Sequence, residues 1–182
     1  GFIGCQIGAA MMGLRPIVDL QYGDFAFCAM EQIVHNAAKL RYMSGGQVKI
    51  PAVLHFPTGA SSRGGTHAQS METYFSHIPG LKVAVPATPY DAKGLLKSAI
   101  RDDNYCIVTS HKLLYGSKGR KVAMNSALNI GVPEEEYLIP FGKADIKRPG
   151  RDVTIVATLL MLHRAFDVAD DLARQGIEME II

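Results

Sequence analysis

Residues 81–109 read LKVAVPATPYDAKGLLKSAIRDDNYCIVT. Residues 81–85 (LKVAV) form a strand pattern that Pro86 closes. Residues 89–101 then carry Ala92, Leu95, Leu96, Ala99 and Ile100 on one side of a helix. Pro89 sits early in that helix, where its missing N–H costs nothing. Residues 106–109 (CIVT) resume as a strand. A strand, a helix and a second strand in this order argue for a parallel α/β sheet.

The alternation continues on both sides. Residues 2–12 are small and apolar, and Gly13 stops a helix there. Residues 17–21 (IVDLQ) and 52–56 (AVLHF) are strand candidates. Between them, residues 25–42 place Phe27, Met30, Ile33, Val34, Ala37 and Ala38 at helical spacing, and Ser44-Gly45-Gly46 ends the run. Residues 57–66 are rich in Gly, Ser and Thr and predict a loop. Residues 114–131 are polar and aperiodic, a linker or surface loop. After Pro149-Gly150, residues 153–157 predict a strand, 163–174 a helix capped by Gly176, and 177–182 a further strand. That single βαβ unit is too small to fold alone, so it predicts the start of a second α/β domain. The expected division is 1–131 and 132–182. With Gly at position 1 and a strand just beginning at position 182, both ends are expected to be cut from something longer.

Composition narrows the function. The 182 residues are 48% apolar and 20% charged, with a net charge of +2. The signs are mixed, which argues against a nucleic-acid surface. The densest basic cluster, Lys118, Arg120 and Lys121, predicts a solvated loop, as does the acidic run Glu134-Glu135-Glu136. No apolar run reaches membrane-spanning length, and no secretion signal is visible. Cys5, Cys28 and Cys106 are far apart with no CxxC pair, which predicts reduced thiols and a cytoplasmic protein, or a mitochondrial matrix protein in a eukaryote. Met11-Met12 predicts core filling. His35, His77, His111 and His163 have no partner at metal-ligand spacing. Neither a GxGxxG turn nor a GxxxxGK[ST] loop is present, so the chain has no standard phosphate cradle, and no GxSxG elbow appears.

Three places could carry chemistry. His67, among Gly64, Gly65, Thr66, Ala68 and Gln69, reaches a ligand at the strand ends or is a surface histidine. Gln21 and Phe25, at the end of a strand, grip a flat heteroaromatic ring, or Phe25 starts the core of the next helix. Asp102, Asp103 and Asn104 cap a helix end or bind a hard cation with its carbonyls. Residue types alone name no reaction.

Several stretches together are similar to one family: LRPIVDLQYGDF (14–25), EQIVHNAAKLRYMSGGQ (31–47), PTGASSRGGTHAQS (57–70), HIPGLKVAVPATPYDAKGLLKSAIRDDN (77–104), IPFGKADI (139–146) and GRDVTIVATLLMLHRA (150–165). They resemble the beta subunits of thiamine-diphosphate-dependent 2-oxo acid dehydrogenases acting on pyruvate, acetoin or branched-chain oxo acids. The resemblance implies a parallel-sheet pyrimidine-binding domain followed by the start of a transketolase C-terminal-like domain. It implies a two-alpha, two-beta assembly that hands its acyl group to a lipoyl-bearing acyltransferase core. Thiamine diphosphate would lie between the subunits, and the alpha subunit would supply the magnesium site. That fits Gly23-Asp24 being followed by Phe25, not by the Gly of a Gly-Asp-Gly magnesium motif.

By the same resemblance, Phe25 packs on the pyrimidine ring and Gln21 lines its pocket. His67 assists acyl transfer to the lipoyl arm, in a motif that reads His67-Ala68-Gln69 where the family has His-Ser-Gln. A structural potassium ion would take the carbonyls of Ala99, Ile100 and Asp102, with Asn104 beside it and Ala52 from the neighbouring strand. Ser110 stands where relatives usually carry Glu, and His55 replaces a common Arg. Residues 118–131 resemble an insertion. The family's catalytic Glu aligns two residues before Gly1, so the 182-residue chain alone is expected to be inactive. The alternatives are a fragment of a transketolase-type enzyme, a non-catalytic assembly module, or a degenerate fragment.

Overall fold

A computed structural model describes residues 1–62, 64–115 and 125–182. The first sheet has four strands, β1 (Ile17–Asp19), β2 (Val53–Thr58), β3 (Lys82–Ala84) and β4 (Cys106–His111). Their order is β1-β2-β4-β3, and every pairing is parallel. The parallel α/β expectation is therefore met.

Helix α1 (Phe2–Met11) buries Ile3, Gln6, Ile7 and Ala10. Gln6 is polar but fully engaged. Its Nε2 donates to Val53 O at 2.7 Å, and its Oε1 accepts from the Tyr105 hydroxyl at 2.8 Å. A buried amide is tolerated when both ends are satisfied in this way. Met11 and Met12 do not fill the core: they are 46% and 85% exposed. They lie at the last turn of α1, past the buried face.

The predicted helix at 25–42 runs from 23 to 43 in three windings. It is 3₁₀ over Gly23–Ala29, π over Glu31–Ala37 and α over α2 (Ala38–Met43). Ile33, Ala37 and Ala38 are buried as the spacing predicts, but Phe27 is 44% exposed and packs its ring on Tyr74. A stripe counted at 3.6 residues per turn loses register where the chain winds at about 3 or more than 4. The short helix α3 (Glu72–Ser76) has no counterpart in the sequence reading. It seats Phe75, fully buried, against Phe56.

Helix α4 (Pro89–Arg101) has a built start. The Thr88 hydroxyl accepts from Asp91 N at 3.1 Å and donates to Asp91 Oδ2 at 2.8 Å, with Pro89 in the first turn. Such a cap is worth about 1 kcal/mol. The next segment straps back over α4: Tyr137 stacks on Tyr90 at 4.4 Å, and Lys147 pairs with Asp91 at 2.9 Å. The turn after α3 needs Gly80, whose φ is +101°. A Cβ there would lie 1.9 Å from the Ala38 carbonyl oxygen.

Beyond the strap, β5 (Val153–Ile155), α5 (Leu159–Ala173) and β6 (Met179–Ile181) form the predicted parallel βαβ unit. It packs on the first unit through buried Ala87, Leu128, Leu162 and Phe166. His163 is 1% exposed and wholly structural. It accepts from Asn125 N through Nδ1 and donates to Ala87 O at 2.8 Å through Nε2. Glu134, Glu135 and Glu136 are exposed as expected. Lys118, Arg120 and Lys121, with residues 118–124 of the expected insertion, lie outside the described residues. None of the described helices is long and apolar enough to cross a membrane.

Candidate functional site

In a parallel sheet, the loops leaving the carboxyl ends of neighbouring strands meet on one edge, and ligands bind there. Three such loops converge at the ends of β1, β2 and β4. The β1 loop carries Gln21, Tyr22, Asp24 and Phe25. The β2 loop carries His67 and Gln69. The β4 end carries His111 and Lys112.

The rings of Tyr22 and Phe25 both meet His67 edge-on, at centroid distances of 5.0 and 5.4 Å. Phe25 is 45% exposed, so it does not begin the core of the following helix. The structure thus brings together two of the predicted residues, Phe25 and His67. Gln21 is turned elsewhere: its Nε2 donates to Asp19 Oδ2 at 2.9 Å.

The loop holding His67 is fixed from below. Lys112 is buried, 8% exposed, and its ammonium holds the loop. It donates to Gly59 O at 3.0 Å and to His67 O at 2.7 Å, and lies 5.0 Å from the Tyr22 ring centre. Asp24 ties the two loops: its Oδ1 accepts from Gln69 Nε2 at 3.0 Å and from Gln69 N at 3.3 Å. The Thr58 hydroxyl donates to Glu72 Oε2 at 2.6 Å. Gly59, with φ at +83°, lets the chain pass His111; a Cβ there would lie 2.2 Å from its Nε2. Burial holds the His111 imidazole below its ordinary value, with the nearby Lys112 charge acting the same way and Glu72 opposing. His111 is therefore neutral at pH 7.

Sequence reasoning missed Tyr22, Asp24 and Lys112. Tyr22 is an aromatic residue three before Phe25, and that proximity was the available signal. Lys112 carries none, because its partners are 45 and 53 residues away.

The predicted cation cluster is only partly assembled. The carbonyls of Ile100 and Asp102 converge, 3.0 and 2.9 Å from Arg15 Nη1. The other groups are engaged elsewhere. Ala99 O accepts from Asp102 N, Ala52 O from Cys106 N, and Asn104 Oδ1 from Arg41 at 2.7 Å. The two converging oxygens suit a cation, and the Arg15 guanidinium provides one. Asp102 also caps the turn, its Oδ1 accepting from Asn104 N at 2.8 Å. Among the described residues, no group of three His, Cys, Asp or Glu could hold a metal.

The family profile of the transketolase pyrimidine-binding domain matches residues 1–118, and that of the transketolase C-terminal domain matches residues 142–182. The chain belongs to the transketolase pyrimidine-binding family. It is similar along its whole length to the beta subunit of the acetoin:2,6-dichlorophenolindophenol oxidoreductase of Cupriavidus necator, at 47% identity over 51% of that subunit. It is 45% identical to the beta subunit of the pyruvate dehydrogenase E1 component of Rhizobium meliloti, covering all of this chain and 38% of that one. It is 41% identical to the 2-oxoisovalerate dehydrogenase beta subunit of Bacillus subtilis, covering 98% of this chain and 52% of that one. The chain thus spans about half the length, or less, of these curated relatives. Among solved structures, a split-gene transketolase described as an inactive beta4 tetramer superposes with a TM-score of 0.69. At 23% identity, over 98% of this chain and 51% of that one, the likeness is one of fold.

Proposed function

We propose that the chain is part of the beta subunit of a thiamine-diphosphate-dependent 2-oxo acid or acetoin dehydrogenase, and that it holds the aminopyrimidine side of the cofactor. The observation that carries this reading is the Phe25–His67–Tyr22 cluster on converging strand ends, with Phe25 exposed and Tyr22 and His67 half-buried. Beside it lies a buried carboxylate oxygen, Asp24 Oδ2, with no hydrogen-bond partner among the described residues. An open aromatic face and an unsatisfied acceptor fit a flat ring bearing N–H groups.

When bound, thiamine diphosphate supplies the electron sink for cleaving the bond next to the carbonyl. This chain's residues position and shield it. Phe25 offers its ring to the pyrimidine, and Asp24 and Lys112 hold the two loops at a fixed spacing. His67 stands at the mouth with Thr66 Oγ1 3.0 Å from its Nδ1, so its Nε2 is the nitrogen free to hand a proton to an incoming group. Gln21 joins the pocket by turning from Asp19.

The alpha subunit would complete the site and supply its magnesium, in a two-alpha, two-beta assembly whose acyl group passes to a lipoyl-bearing core. The compartment is the cytoplasm, or the mitochondrial matrix in a eukaryote. A potassium ion would sit on the carbonyls of Ile100 and Asp102, with Arg15 displaced. Ala99, Asn104 and Ala52 would complete it after local rearrangement. The division of the chain near residue 131 follows the same reading.

The test is cofactor binding to the natural protein with its alpha partner, followed by calorimetry. Phe25→Ala should weaken thiamine diphosphate binding by about 10-fold, the loss of one aromatic stack. His67→Ala should leave binding intact and lower acyl transfer to a lipoyl domain. Unchanged binding in Phe25→Ala would remove the cofactor reading. Unchanged transfer in His67→Ala would leave an assembly module.

A further inference from the structure

Asp19, His55 and Ser110 come from three adjacent strands, β1, β2 and β4. Asp19 pairs with His55, and Ser110 pairs with Pro57, two residues beyond His55. All three side chains therefore rise on the same face of the sheet. His55 Nδ1 lies 2.7 Å from Asp19 Oδ1, and His55 Nε2 lies 2.9 Å from Ser110 Oγ. An ionised carboxylate only accepts, so Nδ1 carries the proton and Nε2 is left to accept from the Ser110 hydroxyl. Gln21 donates to the other oxygen of Asp19, and the Tyr115 hydroxyl hydrogen-bonds Ser110. The face is open: the Asp19 and His55 side chains are 46% and 26% exposed.

We propose that Ser110 is a nucleophile, with His55 as its general base and Asp19 orienting the imidazole, and that this face hydrolyses small carboxylic esters. The geometry meets the requirement for an activated serine: a nucleophile in hydrogen-bond reach of a base, and the base fixed by a third group. Ser110 Oγ attacks the ester carbonyl while its proton passes to His55 Nε2. The C–O bond to the alcohol breaks, and the alcohol leaves with that proton. Water, deprotonated by His55, then attacks the acyl-serine, releasing the carboxylic acid and restoring Ser110. The Tyr115 hydroxyl is the donor at hand for the carbonyl oxygen as charge develops there. Burial acts to raise the Asp19 carboxyl, but hydrogen bonds from Gln21 and His55 and the His55 charge outweigh it. Asp19 is therefore ionised throughout the neutral range.

The test treats the natural protein with a fluorophosphonate probe, then maps the adduct by peptide mass spectrometry. The Ser110 peptide should be labelled, the label should vanish in Ser110→Ala, and its rate should fall about 100-fold in His55→Gln. Hydrolysis of p-nitrophenyl acetate should drop to background in Ser110→Ala, with circular dichroism and the melting transition unchanged. No label on Ser110 in the folded protein overturns the proposal. So does ester hydrolysis that is equal in Ser110→Ala. Neither readout needs thiamine diphosphate or the alpha partner, so the result is separable from the cofactor reading.

Discussion

The Lys112 ammonium donates to the carbonyl of His67 at 2.7 Å and lies 5.0 Å from the Tyr22 ring centre, so one buried cation joins the β4 end to both loops of the candidate site. A second bond to Gly59 O makes it the post on which the β2 loop is hung. A buried lysine is rare, and it persists only when its donors are engaged. Lys112→Met keeps the stem and removes the donors, leaving two carbonyls without their charged partner. Each such bond is worth about 1.5–3 kcal/mol. The variant should lose about 3 kcal/mol in denaturant unfolding, and the loop should become the first segment cut in limited proteolysis. Stability within 0.5 kcal/mol of the parent, a change expected of about any surface site, would mean the post carries no load.

That post could not be read from sequence, and the reason is general. A lysine on a strand end looks solvated until the fold brings two distant carbonyls over it. Phe25 and His67 were legible because an aromatic residue after a strand and a histidine in a glycine-rich loop are local signals. The strands and α4 were legible for the same reason: apolar runs, Pro89 at the start, Thr88 as cap. The helix over 23–43 was legible in extent but not in winding, so Phe27 was assigned to the wrong side. The contact of His55 with Ser110 spans 55 residues, and only the strand order reveals it.

The three cysteines should separate by reactivity. Cys5 and Cys28 are exposed, and Cys106 is fully buried on β4. Burial pushes the Cys106 thiol up to about 12, with Asp102 adding and Lys82 opposing. The thiolate is the reactive form, so Cys106 is inert at pH 8. Native protein treated with iodoacetamide should gain two adducts by mass spectrometry, and urea-unfolded protein three. A native adduct on Cys106 would show that β4 opens.

Asp102 should give the fold an acid-sensitive stability. Burial alone would raise its carboxyl, but the hydrogen bonds from Lys82 and Asn104 and the Lys82 charge hold it below its ordinary 3.8. A carboxyl depressed in the folded state stabilises the fold above the unfolded value, and that contribution is lost as pH falls through the folded value. Asp102→Asn removes it. The stability gap between parent and variant should be full at pH 6 and close progressively below pH 3.8. Urea titrations at a series of pH values measure it, and a gap independent of pH would assign the effect to packing.

The Arg15 guanidinium occupies the two carbonyl oxygens at which potassium is proposed to sit. The guanidinium spans the Ile100 and Asp102 carbonyls with one nitrogen and pairs with Asp103 at 2.8 Å through the other. It thereby sets a positive charge on the C-terminal end of α4, where the helix dipole favours one. Arg15→Ala uncovers two convergent carbonyls and removes one of the cations at the helix end, leaving Arg101 in the last turn and Lys82 on Asp102. In sodium buffer the variant should lose about 1 kcal/mol, the upper end of the range for a charge at an exposed helix terminus. If the potassium reading is right, replacing sodium by potassium should restore most of that loss in the variant and change the parent little. A binding ion stabilises the folded form in proportion to the logarithm of its concentration, so the restored melting temperature should climb steadily from 1-fold to 100-fold potassium. Equal melting in the two salts at every concentration would remove the potassium reading and leave those two carbonyls to Arg15.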